Sequence, residues 1–278
     1  KAEERGVARI AVVERKSVPE LIASRGDDLG LVQGLARGLA VLRAFRPNEP
    51  ALSNTEIAQR TGLPKPTVSR LTHTLTVLGY LAYVPRLARY ALGPAVVSLC
   101  HSLLAGMPTR IAARPVLQEL ADFSRLPVSL GARDQRDMVY IETARHAQGH
   151  PARFDLGSRL PGATTAMGRA YLYALPADER EALLDVLRAG MAPAAWRGIR
   201  AGLDRAFDSI AKRGFCVSLG DWRADVFGAG APVVAADGTV LAINCGGPPF
   251  EVSAERMEKD IGPRLAHSAA LIAQRAAA

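Results

Sequence analysis

The chain of 278 residues is 49% hydrophobic and 22% charged, with a mean hydropathy of +0.07 and a formal net charge of +8. This composition is typical of a globular protein with room for two domains; it excludes wholesale disorder, and no apolar run reaches the roughly 18 residues that a membrane span needs. Three distant cysteines and the lack of a recognisable secretory signal favour a reducing, cytoplasmic location and no membrane partner.

The excess positive charge lies in one block of the chain. Residues 31–110 carry nine basic and two acidic side chains, a net charge of +7. Residues 1–30 are neutral overall, and residues 111–278 have a net charge of +1. A basic block of this kind indicates either a module that binds a polyanion or a solvated face that happens to be basic. Charge alone does not separate the two.

The basic block follows residues 1–28, which we expect to form a flexible tail. Apolar residues at helical spacing predict a first helix with one apolar stripe, formed by Leu35, Leu39, Leu42 and Phe45. A second helix is expected to begin after Ser53, because Ser53 and Glu56 have the spacing of a capping box. Gly62 is expected to end it in the left-handed conformation.

A third helix is predicted from Pro66 to Gly79. Its apolar face comprises Val68, Leu71, Leu75 and Leu78. Its other face carries no acidic residue and comprises Thr67, Ser69, Arg70, His73 and Thr74. Two short strands, residues 81–84 and 89–92, flank a basic tip at Arg86. A module of this order can place its acid-free third helix in the major groove of DNA, while a plain helical domain is the alternative.

Residues 93–109 are predicted to form a linker helix, and the chain beyond it to mix helices with strands. Further helices are expected at residues 110–123, 164–175, 176–188 and 201–213, and after Ser253. Strands are expected at residues 128–132, 138–143, 215–219, 230–235 and 239–245. Asp237 and Gly238 predict a tight hairpin between the last two strands. Hairpin-connected strands with helices at the ends predict an α+β domain with an antiparallel sheet.

Catalytic and cofactor motifs are missing from the sequence. It has no nucleophile elbow, phosphate loop or Cys-x-x-Cys, so we expect no enzyme activity and no cofactor. His146 and His150 lie four residues apart, as metal ligands on a helix would, but Gly149 and Pro151 disfavour a helix there. We therefore expect no metal. Cys245 is interpreted as a small core residue rather than a nucleophile.

Thr164 and Thr165 stand at the predicted start of a helix. Unpaired N–H groups and the positive end of the helix dipole favour an anion at such a position, and two hydroxyls add donors. Ordinary N-capping by a threonine explains the same pattern. The residues alone leave both interpretations open.

The N-terminal module resembles the winged helix-turn-helix of the IclR family of bacterial transcriptional regulators. The similarity is carried by residues 35–42 (LARGLAVL), 62–71 (GLPKPTVSRL), 78–81 (LGYL) and 90–93 (YALG). One departure is Pro66, where the family usually has serine, and it removes a hydroxyl that could contact phosphate. The spacing is kept over the whole module, which makes the resemblance specific.

The resemblance extends into the second half of the chain. Residues 160–161, 165–170 (TAMGRA), 221–222, 231–233, 237–238 and 247–248 match the family's effector domain. The resemblance implies a GAF-like fold that binds a small molecule, often a carboxylic acid. Many members have glycine where this chain has Asp225 and cysteine where it has Gly228. Both positions border the implied pocket, so the ligand's identity does not carry over.

These observations predict two sets of binding residues. The DNA-contacting residues are expected to be Ser53, Lys65, Thr67, Ser69, Arg70, His73, Arg86 and Arg89. The effector-binding residues are expected to be Leu160, Thr164, Thr165, Ala166, Met167, Val226, Gly228, Asn244 and Gly246. The resemblance implies all of the second set except the two threonines, which come from the helix-terminus argument.

The predicted architecture is a winged helix-turn-helix (29–92), a linker helix (93–109) and a GAF-like effector domain (110–278). The predicted function is sequence-specific regulation of transcription, as a repressor or alternatively as an activator. A carboxylate or aromatic-acid effector would modulate binding of a homodimer, or a dimer of dimers, to a palindromic operator. The alternative is a small-molecule-binding protein or enzyme with an incidental helical N-terminal domain.

Overall fold

The computed structural model describes residues 31–47, 49–148 and 154–277. The predicted tail, residues 1–28, and His150 therefore lie outside the described residues. The described chain forms two compact units, residues 31–106 and residues 107–277, and each has its own hydrophobic core.

The N-terminal unit combines three helices, a small antiparallel sheet and a further helix. In chain order its elements are α1 (Gln33–Arg43), β1 (Ala51–Leu52), α2 (Asn54–Thr61), α3 (Lys65–Val77), β2 (Leu81–Val84), β3 (Arg89–Leu92) and α4 (Ala95–Ala105). The strands lie in the order β1-β3-β2. The sequence does not predict β1, because two residues give no periodic pattern and this strand depends on pairing of Leu52 with Tyr90.

Local signals position the second and third helices. Ser53 Oγ accepts a hydrogen bond from the Glu56 N–H at 3.3 Å, and Glu56 Oε2 accepts one from the Ser53 N–H at 2.8 Å. The predicted capping box is therefore confirmed, and Gly62 ends α2 with a φ of 70°. α3 begins one residue before Pro66, which occupies its first turn, where a missing N–H leaves no helical hydrogen bond unmade.

The predicted apolar stripe of α1 is covered only in part. Leu42 and Phe45 pack against the core of the N-terminal unit, but Leu35 and Leu39 are 63% and 51% exposed, whereas Gly38, Ala40 and Val41 are buried. A Cβ at Gly38 would lie 4.0 Å from a methyl carbon of Leu71 in α3, so α1 packs against α3 through its small residues. Helical spacing identifies the leucine face as apolar but does not show what covers it.

The predicted apolar face of α3 is correct only in part. Val68 and Leu75 are buried and Leu71 packs against the core, but Leu78 is 59% exposed. Thr72, which is not part of the predicted face, is fully buried. The Thr72 hydroxyl lies 3.2 Å from Asn54 Oδ1 and 3.1 Å from the Ser69 carbonyl oxygen. These acceptors satisfy the hydroxyl, which allows a polar side chain to be buried at this position.

The C-terminal unit is an antiparallel sheet packed with helices, and the predicted α+β class is confirmed. Its elements are α5 (Pro108–Ser124), β4 (Val128–Asp134), β5 (Asp137–Ala144), β6 (Arg159–Pro161), α6 (Ala166–Ala174), α7 (Ala177–Arg188), α8 (Pro193–Arg213), β7 (Cys216–Leu219), β8 (Phe227–Val234), β9 (Val240–Gly247), α9 (Ala254–Arg256) and α10 (Gly262–Arg275). A π-helical turn, Met257–Ile261, joins the last two helices. The strands lie in the order β6-β5-β4-β9-β8-β7.

Some boundaries differ from the sequence prediction. α8 begins at Pro193 rather than at residue 201, because proline fits a first helical turn and the following glycine and alanine residues remain helical. α6 begins at Ala166 rather than at residue 164, and Thr165 is its N-cap. The three-residue strand β6 is too short for a periodic signal. The predicted hairpin at Asp237 and Gly238 is present, with a Gly238 φ of 82°.

α4 is unusual because none of its residues is buried within the described chain. Val97, Leu99 and Leu103 are 58–68% exposed. Among the described residues, no single helix is long and apolar enough to cross a membrane; α4 and α5 meet the requirement of length and composition only when joined as a bent pair.

Gly230 provides a test of how closely α6 approaches the sheet. A Cβ at this position would lie 2.3 Å from the Ala166 carbonyl oxygen, a backbone atom that cannot move without shifting α6. Gly230→Ala should therefore lower the free energy of unfolding by about 1–3 kcal/mol, the usual cost of overpacking. The measurement is urea unfolding of the full chain followed by circular dichroism.

Gly198→Ala is the matched control. Gly198 lies inside α8, and a Cβ there has no atom within 4 Å. This change should raise the free energy of unfolding by roughly 0.5–1 kcal/mol, because alanine is the better helix former. Unfolding of the Gly230 variant at the parent's urea midpoint would contradict the close approach.

Candidate nucleic-acid interface and ligand cavity

One face of α3 is exposed and free of acidic side chains. Ser69, Arg70 and His73 are exposed along it, and Thr67 is half-buried. Lys65, also exposed, occupies the first position of the helix. This face offers one guanidinium, one ammonium and several neutral hydrogen-bonding groups, which suits contact with phosphates and base edges.

The tip of the β2–β3 hairpin is basic and exposed. Arg86 lies in a 3-10 turn, Pro85–Leu87, and is exposed, as is Leu87. Ala88 follows with a φ of 49° and leads the chain into β3. The hairpin therefore presents the Arg86 guanidinium to solvent.

Two predicted DNA-contacting residues are held by intramolecular contacts. Ser53 Oγ donates to Glu56 Oε2 at 2.7 Å in addition to its capping role. Arg89 donates to the Ala51 carbonyl oxygen at 3.0 Å and lies 3.0 Å from Glu56 Oε1. The Ser53 backbone hydrogen bond and the Arg89 charge contribute to lowering the Glu56 pKa, so this carboxylate is ionised at neutral pH. Ser53 and Arg89 thus join α2 to the small sheet.

A cavity of about 520 Å³ lies in the C-terminal unit. The predicted effector residues that line it are Leu160, Thr165, Ala166, Val226, Gly228, Asn244 and Gly246. Thr164 and Met167 do not line it, and Met167 is fully buried, with its sulfur beside Gly131. Asp225, expected at the border of the pocket, is also a lining residue.

Aromatic side chains form much of the cavity wall. They are Tyr140, Phe154, Trp222, Phe227 and Phe250. The ring centroids of Phe154 and Trp222 are 5.3 Å apart. Sequence reasoning misses all five, because they come from separate segments that share no motif. The strand pattern of β5 alone places Tyr140 on a buried face, but it does not indicate a cavity.

The polar floor of the cavity centres on Tyr140 and Asn244. Asn244 Nδ2 donates to the Tyr140 hydroxyl oxygen at 2.8 Å. Burial raises the pKa of Tyr140 to about 12, so its hydroxyl stays neutral at physiological pH. Asn244 Oδ1 is buried without a hydrogen-bond partner among the described residues. An acceptor left in that state costs free energy, which favours a partner supplied from outside the chain.

Thr165 acts as the N-cap of α6. Its hydroxyl donates to the Pro161 carbonyl oxygen at 2.7 Å and accepts from the Gly168 N–H at 3.2 Å. The hydroxyl proton is therefore not available to a ligand. The first turn of α6 lines the cavity at Ala166. Backbone N–H groups in the first turn of a helix have no helical hydrogen-bond partners, so they are the donors at this position.

Cationic groups lie among the lining residues. Arg125 is exposed, and the Arg145 side chain is 38% exposed and lies 2.7 Å from Asp155. His146 lies 3.2 Å from Asp122. Two acidic residues also line the cavity: Asp225, which accepts from Arg223 at 2.9 Å, and Glu251.

The described residues offer no assembled metal centre. They contain no group of three or more His, Cys, Asp or Glu side chains placed to hold a metal ion. Cys216 and Cys245 are buried, and burial raises the pKa of each thiol to about 12. Neither is therefore a thiolate near neutral pH, and Cys245 is the core residue that the sequence predicts.

Both units match models of one protein family. Residues 34–85 match the IclR helix-turn-helix domain, and residues 101–274 match the bacterial transcriptional regulator IclR C-terminal domain. This chain belongs to the IclR family. The predicted family and the main predicted function, regulation of transcription through DNA binding, are confirmed. An IclR-family assignment does not favour the alternative of an incidental helical domain.

Individual relatives agree with the IclR-family assignment. The chain is 34% identical over 239 residues to the HTH-type transcriptional regulator TsaQ1/TsaQ2 of Comamonas testosteroni, covering 85% of each protein. It is 42% identical to an IclR-family transcriptional regulator from Brucella abortus of known crystal structure, with a TM-score of 0.81 and coverage of 94% of this chain and 98% of that one.

A more distant relative shows the same fold with a ligand. An IclR homologue from Microbacterium hydrocarbonoxydans was crystallised with 4-hydroxybenzoate. It is 20% identical to this chain, with a TM-score of 0.69, and the match covers 87% of this chain and 98% of that one. At this identity the likeness establishes the shared fold.

Proposed function

We propose that this IclR-family regulator binds a palindromic operator as a symmetric dimer and that a small aromatic carboxylate in the cavity modulates this binding. The observation that carries the proposal is the cavity itself. It combines aromatic walls, a neutral polar floor and cationic lining residues within the family's C-terminal domain. Its volume falls within the roughly 300–1,000 Å³ usual for small-molecule sites.

The aromatic lining favours a ligand with a flat ring. Tyr140, Phe154, Trp222 and Phe227 offer faces and edges for stacking. Arg125 would supply positive charge for a carboxylate, and Arg145, which is paired with Asp155, would add further hydrogen-bond donors. The related fold that holds 4-hydroxybenzoate supports this chemical class and supplies a first compound to test.

The polar floor favours a ring that bears a second polar group. Tyr140 is a neutral hydroxyl, and Asn244 has an oxygen without a partner among the described residues. The amide oxygen of Asn244 repels a carboxylate and accepts from a neutral hydroxyl. The Tyr140 hydroxyl, which accepts from Asn244 Nδ2, can donate its proton to either group. A hydroxyl on the ring would satisfy the floor, while the carboxylate would lie towards the arginines.

DNA binding is assigned to α3 and the hairpin tip. Lys65, Arg70 and Arg86 are exposed cations on these two elements. Ser69 and His73 flank Arg70 on the exposed face and offer neutral hydrogen-bonding groups. Ser53 and Arg89 have the supporting role of holding α2 against the sheet, through Glu56 and the Ala51 carbonyl.

A dimer is proposed because apolar side chains on α1 and α4 have no cover within the N-terminal unit. Leu35, Leu39, Leu99 and Leu103 are all more than half exposed. A second copy of the chain would bury them, and a symmetric pair of α3 helices would read two half-sites.

Arg70→Ala should weaken specific operator binding by about 1–3 kcal/mol if the guanidinium reads a base edge with two hydrogen bonds. The measurement is a fluorescence-anisotropy titration with operator DNA and with unrelated DNA at matched salt. Arg188→Ala, which removes an exposed cation from α7, is the control for bulk charge. Equal losses on both DNAs would make Arg70 a phosphate contact, and no loss would remove it from the interface.

A full palindrome should bind at least about 100-fold more tightly than one half-site, because the second half-site is bound intramolecularly. Leu99→Glu, which charges the exposed face of α4, should bring the palindrome's affinity close to that of the half-site. Leu156→Glu, at an exposed leucine of the C-terminal unit, serves as the control. Equal affinity of the parent for the palindrome and the half-site would refute a symmetric dimer.

Asn244→Ala should weaken effector binding about ten- to a hundred-fold, since it leaves the ligand's ring hydroxyl buried without a partner, which typically costs about 1–3 kcal/mol. Calorimetric titration with 4-hydroxybenzoate, or with the best acid from a thermal-shift screen, measures this change. Operator binding without effector should stay unchanged in this variant. Gln274→Ala, which removes an exposed amide, is the control and should change neither effector binding nor operator binding. Parental effector affinity in the Asn244 variant would make Asn244 a structural residue.

A further inference from the structure

A buried cation lies beside the cavity without lining it. Arg169, in the first turns of α6, is 4% exposed. Its Nη1 lies 2.5 Å from Asp221 Oδ2, and its Nε donates to the Ala163 carbonyl oxygen at 3.3 Å. A guanidinium keeps its charge at physiological pH, and a buried charge is stable only when it is paired. Arg169 therefore depends on Asp221.

The fold holds the Arg169 guanidinium at a fixed position. Gly202 of α8 lies against it, and a Cβ at this glycine would be 2.7 Å from Arg169 Nη2. The Ala163 carbonyl fixes Nε from the segment that precedes α6. Three separate parts of the C-terminal unit thus meet at the guanidinium, and only the part that contains Asp221 is a surface loop.

Asp221 belongs to a loop that forms part of the cavity wall. Residues 220–226 connect β7 to β8, and this 220–226 loop contributes Trp222, Asp225 and Val226 to the lining. The loop is closed internally by a hydrogen bond from the Gly220 N–H to the Val226 carbonyl oxygen at 3.1 Å. That bond shapes the loop, whereas the Asp221 carboxylate attaches it to α6.

We propose that the Arg169–Asp221 ion pair fastens the 220–226 loop against the cavity and thereby sets the shape of the wall that an effector meets. Arg169 and Asp221 are positioning residues, which act through Trp222, Asp225 and Val226. The part that concerns the effector rests on the proposed function of the cavity. The fastening of the loop is independent of any ligand.

The position of Asp221 separates this role from a general contribution to folding. Its side chain is 37% exposed, and no residue of the loop is itself buried. Within the loop, Trp222 packs against the buried cluster that contains Met138, Leu172 and Leu203. Movement of the loop therefore withdraws Trp222 from the edge of this cluster while the buried residues of the sheet and helices stay packed. The Trp222 ring should respond to such movement first, since it follows Asp221 directly in the chain and contacts Phe154.

Tryptophan fluorescence tests the fastening without a ligand. The chain contains two tryptophans, Trp196 and Trp222, so Trp196→Phe leaves Trp222 as the single reporter. In that background, Asp221→Ala should raise the acrylamide quenching constant of Trp222 at least about two-fold, because the loop opens locally. Arg169→Lys, which keeps the charge but loses the planar donor set, should give an intermediate value.

Two further variants keep this measurement decisive. Asp204→Asn breaks an exposed ion pair with Arg200 on α8 and should leave Trp222 quenching unchanged. If Asp221→Ala does not fold, Arg169→Met removes the buried charge together with the fastening and should show the same increase. Unchanged quenching in folded Asp221 and Arg169 variants would overturn the proposal.

Ligand selectivity tests the positioning of the wall. In the Trp196→Phe background, Asp221→Ala should raise the Kd for 4-hydroxybenzoate about ten-fold, because the ligand must then order the loop. The ratio of the Kd values for 2-naphthoate and 4-hydroxybenzoate should fall towards one, since a loosened wall no longer discriminates by shape. A merely structural ion pair would lower the melting temperature without changing this ratio.

The two measurements distinguish the possible failures. A loosened Trp222 with unchanged Kd values and an unchanged ratio would overturn the positioning role. If the parent binds neither of these two acids and no acid in the thermal-shift screen, the proposed function is refuted, and with it the effector part of this inference. The quenching result would still decide whether the ion pair fastens the loop.

Discussion

The close approach of α6 to its surroundings is the constraint on which the C-terminal unit depends. At Gly230 and at Gly168 a Cβ would lie 2.3 Å and 2.1 Å from backbone carbonyl oxygens, so the first turn of α6 is fixed between β8 and the preceding segment. Thr165, Ala166 and Gly228 lie next to this contact and line the cavity. A residue with a side chain at either contact glycine would move the helix and the cavity wall together.

The polar groups near the cavity are of two kinds: those that already have partners within the chain and those that are exposed to a ligand. The groups beside α6 are of the first kind, because Thr165 caps the helix and Ser218 donates to the Thr164 carbonyl oxygen at 3.1 Å. Arg169 is neutralised by Asp221 and is not a lining residue. Of the two arginines that line the cavity, Arg125 is exposed and would meet the carboxylate of the proposed ligand, whereas Arg145 is already paired with Asp155. In the proposed complex the carboxylate lies towards the solvent side and the ring among the aromatic side chains.

Features that depend on a few neighbouring residues could be predicted from the sequence. The capping box at Ser53, the turn at Asp237 and Gly238, and the buried positions Met257 and Ile261 follow from local hydrogen bonding or spacing. The two-residue strand β1 and the three-residue strand β6 could not be predicted, because long-range pairing stabilises them. The aromatic lining of the cavity could not be predicted either, since only the sheet brings Tyr140, Trp222 and Phe250 together.

The exposed leucines of α1 show a different limit of sequence reasoning. A stripe at helical spacing states that one face of a helix avoids water, and a core or a second subunit meets that requirement equally well. Within the N-terminal unit, α3 takes the small-residue side of α1 at Gly38, which leaves Leu35 and Leu39 uncovered. α4 has the same property along its whole length. The large apolar side chains that these two helices keep exposed are the surface that the proposed dimer would cover, and the proposed palindromic operator requires the same two-fold symmetry.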